Sequence, residues 1–227
     1  MPGDAGGLLE RIRAFAMPEG PLECRGTWLR QQGEMRFAPD RPWLSFEAEQ
    51  WFEGNGIGFR WRARVRMAPF VRASVVDAFQ NGSGTLTARV FGVIPVAQAR
   101  GPATDKAEAL RGLAELPWRP FAFGEGSGIA WAATKTAGLC ASFDDGRTQA
   151  ELEFEVDPEG RVLGGGTSSR PRMVGKSVVE TPWSGAFREY RMFDGLMVPT
   201  AAEVTWQLPE GPFTYWRGRV VEFRVLR

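Results

Sequence analysis

A chain of 227 residues with 43% hydrophobic and 24% charged residues has the composition of an ordinary globular protein, long enough for one large β domain or two small ones. The net charge of +1 gives no bias toward nucleic acid or anionic membrane. The absence of histidine excludes Ser-His-Asp and Cys-His chemistry and removes the commonest metal ligand.

The N-terminal stretch Met1–Arg13 has no basic region followed by an apolar one, so no signal peptide is expected and the cytoplasm is the expected location. Leu8, Leu9, Ile12 and Phe15 have the spacing of a short amphipathic helix. No run approaches the roughly 20 apolar residues of a membrane span. Cys24 and Cys140 lack CxxC spacing, which argues against a disulfide framework and a zinc site and for two unpaired thiols in a reducing compartment.

Leu44–Glu53 and Phe59–Met67 both alternate with period two, the pattern of strands with one dry and one wet face. Asn55-Gly56 between them predicts a two-residue type I′ turn, because both central residues need positive φ. That turn sets one register. Phe52 faces Phe59, Gln50 faces Trp61 and Phe46 faces Val65 on the inner side. Glu49 faces Arg62 and Glu47 faces Arg64 on the outer side. Arg60, Arg62, Arg64 and Arg66 form a basic stripe, but the carboxylates opposite neutralise it, so a solvated sheet surface is expected and no nucleic-acid contact. Phe59, Trp61, Ala63, Val65 and Met67 are expected to point inward.

Hairpins continue along the chain. Asn81-Gly82 joins Val71–Gln80 to Thr85–Ile94, with Val75 facing Ala88 and Ala73 facing Val90. Asp145-Gly146 joins Ala137–Phe143 to Thr148–Val156, with Leu139 against Leu152 and Ala141 against Ala150; Glu151, Glu153, Glu155 and Asp157 then face outward. Asp157-Pro158-Glu159-Gly160 reads as a turn. Gly164-Gly165-Gly166 lacks the GK[ST] of a phosphate loop and reads as a flexible loop or strand bulge. Asp194-Gly195 closes a hairpin between Phe187–Phe193 and Leu196–Val204. The last strands fall near Ala201–Leu208 and Tyr215–Val225.

Thr104–Leu116 breaks this pattern with helical spacing. Thr104 is the expected N-cap, Leu110, Leu113, Ala114 and Leu116 the apolar side, and Pro117 and Pro120 the stop. Glu108, Arg111 and Glu115 share another side. The implied fold is mainly β (α+β): one domain over residues 1–227, a strongly curved antiparallel sheet or half-barrel of about ten strands, one internal helix in its concavity and a short N-terminal helix.

Asp77 lies on an otherwise apolar inner face. An unpaired buried carboxylate is costly, so Arg111 is the expected partner, with Glu115 sharing it. Gln50 is a second inner polar residue. Trp61, Trp118, Phe121, Phe123, Trp183, Trp206 and Trp216 supply aromatic bulk that fills a core or lines an apolar pocket if sheet and helix do not close fully. Nothing in the spacing calls for a cofactor or metal.

Several motifs are similar to a bacterial family known only as a domain of unknown function: Glu-Ala-Glu-Gln-Trp-Phe at 47–52, Trp-Arg-Ala-Arg-Val-Arg-Met-Ala-Pro at 61–69, Leu-Ala-Glu-Leu-Pro-Trp-Arg-Pro at 113–120, Thr-Pro-Trp-Ser-Gly at 181–185 and Tyr-Trp-Arg-Gly-Arg-Val at 215–220. The resemblance covers nearly the whole chain and implies no established activity. At the level of architecture the chain resembles the LolA-like half-barrel of lipoprotein carriers.

The reading is therefore a non-enzymatic protein that encloses an apolar small molecule or lipid chain between sheet and helix. Phe46, Gln50, Trp61, Asp77, Arg111, Glu115, Trp118, Trp183, Trp206 and Trp216 are its expected ligand-facing residues. A filled-core structural or interaction domain is the alternative, and a carboxylate-based enzyme the third.

Overall fold

The period-two runs become strands and the helically spaced runs become helices in a computed structural model that describes residues 4–135 and 138–227. Among these residues the chain forms α1 (Ala5–Ala16), β1 (Gly26–Met35), β2 (Leu44–Glu53), β3 (Phe59–Ala68), β4 (Val71–Gln80), β5 (Ser83–Val90) and β6 (Ile94–Ala99). Then come α2 (Pro102–Ala114), two 3-10 turns at Leu116–Trp118 and Pro120–Phe123, β7 (Ile129–Ala133), β8 (Leu139–Asp144), β9 (Gln149–Val156), β10 (Val162–Val174), β11 (Ser177–Phe193), β12 (Leu196–Leu208) and β13 (Gly211–Leu226).

All thirteen strands form one antiparallel sheet in the order β6-β5-β4-β3-β2-β1-β13-β12-β11-β10-β9-β8-β7. Every neighbour is consecutive in sequence except β1 and β13. The chain thus runs out along one arm to the edge strand β6, crosses through α2 to the other edge strand β7, and returns along the second arm. α2 packs on β5 and on β10, which seven other strands separate. In a flat sheet those two strands would lie roughly 38 Å apart, several helix diameters. The sheet must curl for one helix to touch both. The arms also meet at their turns: Arg147 Nη2 in the β8–β9 turn donates to Asn81 O in the β4–β5 turn at 3.5 Å.

The first register is as expected. Phe52 pairs with Phe59, Gln50 with Trp61, Glu49 with Arg62 and Glu47 with Arg64. The turn is not type I′: Gly54 takes the positive φ of 64° and Asn55 and Gly56 do not. β1 is the reason. Gly54 N–H donates to Arg25 O at 2.8 Å, and the widened loop lets Ile57 bury itself against α2. The outer carboxylates do not clasp their opposite arginines. Among the described residues no carboxylate lies within 4 Å of Arg62 or Arg64; Arg62 sits over the Trp51 ring instead, and Arg66 pairs across the ladder with Arg72. Met67 does not point inward: it occupies the register break between Arg66 and Ala68 and is exposed.

Elsewhere Val75 meets Ala88 and Ala73 meets Val90, with Asn81 and Gly82 at φ 53° and 74°. The β8–β9 register is shifted by two residues from expectation, with Leu139 against Phe154 and Ala141 against Leu152. Asp145 causes the shift. Its carboxylate accepts from Arg147 and Thr148 N–H, so the loop closes over four residues rather than two. The expected strand start at Ala137 lies outside the described residues.

The sheet exceeds ten strands because β1, β6, β7 and β10 carry weak alternation. The two segments expected between Leu196 and Leu208 are one strand. Gly164-Gly165-Gly166 belongs to β10, with a register break beside it, and a Cβ at Gly164 would come within 2.5 Å of Gly185 O. α2 starts two residues before the expected N-cap: Gly101 caps it at φ 102° and Pro102 occupies its first turn.

Gly112 sits inside α2, where alanine would ordinarily stabilise a helix. Here a Cβ would lie 2.3 Å from Ile57 O. Gly112→Ala should therefore destabilise the protein by about 1–3 kcal/mol in urea unfolding, opposite in sign to helix propensity.

Candidate functional site

Helical spacing fans the polar residues of α2 out to separate strands. Asp105 Oδ1 accepts from Gly84 N–H on β5 at 2.7 Å. Lys106 Nζ reaches Ser169 on β10 and Glu180 on β11 at 3.1 and 3.2 Å. Glu108 approaches Arg170 on β10 at 3.8 Å. Arg111 Nη1 pairs closely with Asp77 on β4, and its Nε donates to Glu115 at 2.9 Å. Glu115 in turn accepts from Gln50 Nε2 on β2 at 2.6 Å. The Arg111 guanidinium also lies 4.7 and 5.1 Å from the ring centres of Phe59 and Trp61. Asp77 therefore has the partner expected for it, and Glu115 shares that partner.

These contacts hold α2 above the concave face and leave a cavity of about 600 Å³ beside it. Trp61, Trp118, Trp183, Trp206 and Trp216 line it, with Val75, Leu86, Phe187 and Val204. Asp77, Glu108, Arg111, Glu115 and Arg170 form one charged wall, and Arg100, Arg172, Met173 and Val178 belong to the lining too. Eight of the ten residues singled out from the sequence line this space. Phe46 and Gln50 do not. Phe46 stacks on Trp216 at 5.5 Å, and Gln50 is fully buried against Glu115. A groove of about 1210 Å³ along β8–β11 is larger but open and edged by Glu151, Glu153 and Glu155, without the aromatic enclosure.

The charges in the wall are unevenly matched. Burial, then the charge of Asp77, pushes the Glu108 carboxyl well above the usual carboxylate range, against the pull of Arg170 and Arg111. A side-chain hydrogen bond with Asp77 adds to the shift. Asp77 Oδ1 and Glu108 Oε2 are buried without a hydrogen-bond partner among the described residues. Burial alone would lower the pKa of Arg111, but Glu115, Asp77 and Glu108 outweigh it and raise it. Besides Glu108, Arg170 is held by neutral groups: Ala107 O at 3.2 Å, Tyr215 Oη at 3.3 Å, and the Trp183 ring 4.4 Å away.

Sequence reasoning missed Arg170, Tyr215 and Arg119. Arg170 is a core residue of β10; reading Gly164-Gly165-Gly166 as a flexible loop or strand bulge assigned no inner face to the residues after it. Arg119 is fully buried and donates to Gly58 O at 2.8 Å and Gly112 O at 2.6 Å. Burial lowers its pKa to about 10, with Glu115 opposing, so it stays a cation at neutral pH. It ties the end of α2 to the β2–β3 loop, and nothing in the sequence marks it except its place between Pro117-Trp118 and Pro120.

The Glu108 shift makes stability depend on pH. The folded protein keeps a proton that the unfolded chain releases once pH passes the ordinary carboxylate range, so stability falls as pH rises. Glu108→Gln should remove that slope. Urea midpoints for the variant should match or exceed wild type at about pH 8 and gain less, or lose, at about pH 5; parallel profiles would mean that Glu108 is not the titrating group.

No curated protein matches the chain. Its fold is similar to the crystal structure of a LolA superfamily protein from Nitrosomonas europaea, with 11% identity, a TM-score of 0.54 and coverage of 98% of this chain and 93% of that one. It is likewise similar to a DUF1329 family protein from Desulfovibrio piger, with 10% identity, a TM-score of 0.52 and coverage of 98% and 93%. At such identities the likeness is one of fold, and it establishes the half-barrel. A family-level match extends over residues 12–218, nearly the whole chain, and so this protein belongs to the family of unknown function DUF6544.

Proposed function

We propose that this protein binds an apolar molecule, a lipid chain or a small molecule of similar character, in the cavity between α2 and the concave sheet. The cavity itself carries the reading. About 600 Å³ of space walled by five tryptophans is the size and character of a small-molecule site, and a core selected only for packing would have closed over it. The cavity weighs against the filled-core alternative. The charged wall supplies polarity at one side. Of the two arginines in that wall, Arg111 is held closely by Asp77 and Glu115, whereas Arg170 has only Glu108 at 3.8 Å, a carboxyl whose pKa burial raises. An acidic head group beside Arg170, with the apolar body against Trp61, Trp183 and Trp206, uses both features. Binding rather than catalysis is the proposed role, since these groups are engaged in holding α2 in place. Cys24 and Cys140 are separate free thiols, in keeping with a cytoplasmic site of action, which fractionation of tagged cells tests.

Organic extraction of purified protein followed by mass spectrometry should release an apolar molecule in near-stoichiometric amount. The delipidated protein should change its tryptophan emission when titrated with long-chain fatty acids. Val75→Trp, which fills the cavity from β4, should abolish uptake, and Arg170→Gln should weaken the acid by about tenfold while leaving an uncharged long-chain alcohol unaffected. Protein that yields no extract and gives no emission change with either probe would end this reading.

A further inference from the structure

Two tight turns of the sheet break the rule that the others keep. Positive φ in a two-residue turn favours Gly, Asn or Asp. The β4–β5 and β11–β12 turns obey it with Asn81-Gly82 at 53° and 74° and Asp194-Gly195 at 49° and 85°. The β3–β4 turn is Pro69-Phe70, with Phe70 at φ 65°, and the β5–β6 turn is the three-residue loop Phe91-Gly92-Val93, with Phe91 at φ 54°. A phenylalanine in this region is strained, and strain of this kind persists where something other than local stability selects the residue. Burial is not the compensation. Phe70 is 98% exposed and Phe91 62%, and Val93 and Ile94 beside them are exposed too.

The two turns are neighbours, since Phe91 N–H donates to Arg72 O at 3.1 Å. A shallow depression runs between them, lined by Phe70, Phe91, Arg64, Arg66 and Arg72 with small residues, and without a carboxylate. None of these three arginines has a carboxylate within 4 Å among the described residues. The β10–β11 turn carries a further exposed apolar group, with Met173, Val174, Val178 and Val179 around Lys176. Met173 and Val178 also line the cavity.

We propose that the turn tips at Phe70 and Phe91 dock the protein on an anionic lipid bilayer, the rings entering the acyl boundary while Arg64, Arg66 and Arg72 meet the lipid phosphates. Aromatic tips ringed by unpaired cations fit that interface, in which apolar depth and surface charge add. A protein partner would bury the apolar tips without needing the cations. The proposal is independent of what occupies the cavity.

Sedimentation with vesicles tests it. Wild-type protein should pellet with phosphatidylglycerol–phosphatidylcholine vesicles and far less with phosphatidylcholine alone, and added salt should weaken the association. Phe70→Asn together with Phe91→Asn should lower the bound fraction by on the order of tenfold. Asparagine suits positive φ, so the thermal midpoint should hold or rise. Arg66→Gln with Arg72→Gln should erase the preference for anionic vesicles. The cavity-filled Val75→Trp variant should dock like wild type, which separates this result from that of the ligand titration. Failure to pellet with anionic vesicles, unchanged docking by the asparagine variant, or a dimer in light scattering that this variant dissociates would overturn the proposal; the last would assign the patch to a second copy of the chain.

Discussion

The Arg111 guanidinium, held between Asp77 on β4 and Glu115 one helical turn onward, is the contact on which the arrangement of helix and sheet depends. α2 has to carry the chain from one free edge of the sheet to the other, and its apolar side buries Leu110, Leu113 and Ala114. An apolar helix on an apolar concavity has no reason to stop at one depth; it settles until the gap closes. Polar anchors supply the stop. Each fixes a distance of about 3 Å to a named atom on a named strand, and together they reach β2, β4, β5, β10 and β11. Buried ion pairs add little net stability over apolar replacements, because desolvation offsets their attraction. Their consequence here is positional: they hold the helix off the sheet by the reach of an arginine and leave space beside it.

The same contacts explain how far the sequence could be read. Leu44–Phe52 and Phe59–Met67 have one register that satisfies both faces, so the pairing of Glu49 with Arg62 follows whatever the turn does. The turn itself escaped because its conformation is decided by Arg25, a residue about thirty positions away in sequence that takes the Gly54 N–H. The β8–β9 slip has a local cause that the dipeptide Asp-Gly conceals, since Asp145 uses its carboxylate to close a longer loop. β6 was illegible for another reason: it is an edge strand whose residues are nearly all exposed, so burial imposes no alternation on it.

At the candidate site the legible part was the part with a penalty attached. A carboxylate between Val75 and Phe79 on a dry face demands a cation, and the only polar side of the helix offered Arg111. The illegible part was Arg170 and Tyr215, which come from β10 and β13 to meet beside Glu108 of α2. Arg170 lies shortly after three glycines, which read as a flexible loop or a strand bulge and gave the residues beyond them no face. In the structure those glycines let β10 lie close against β11, and that places the arginine over the Trp183 ring. Glycine that relieves crowding and glycine that relieves backbone strain look alike in a sequence.

Arginine plays opposite parts on the two faces of β3 and β4. Inside, Arg111 and Arg170 stand over tryptophans and pair with buried carboxylates, and their charges set helix position and cavity polarity. Outside, Arg64 and Arg66 face Glu47 and Arg72 in register, yet remain without a contact carboxylate. Cross-strand facing brings the Cα atoms to within about 5 Å, but long exposed side chains clasp only when the gain exceeds the rotamer entropy lost, and on a wet sheet the two are nearly equal. Register is therefore sufficient evidence for a strand pair and insufficient evidence for a neutral surface. A stripe that alternates with apolar residues and faces glutamates still presents mobile guanidinium groups to whatever approaches the β3–β4 turn, and it does so beside the one aromatic residue of that turn that the fold leaves almost wholly in water.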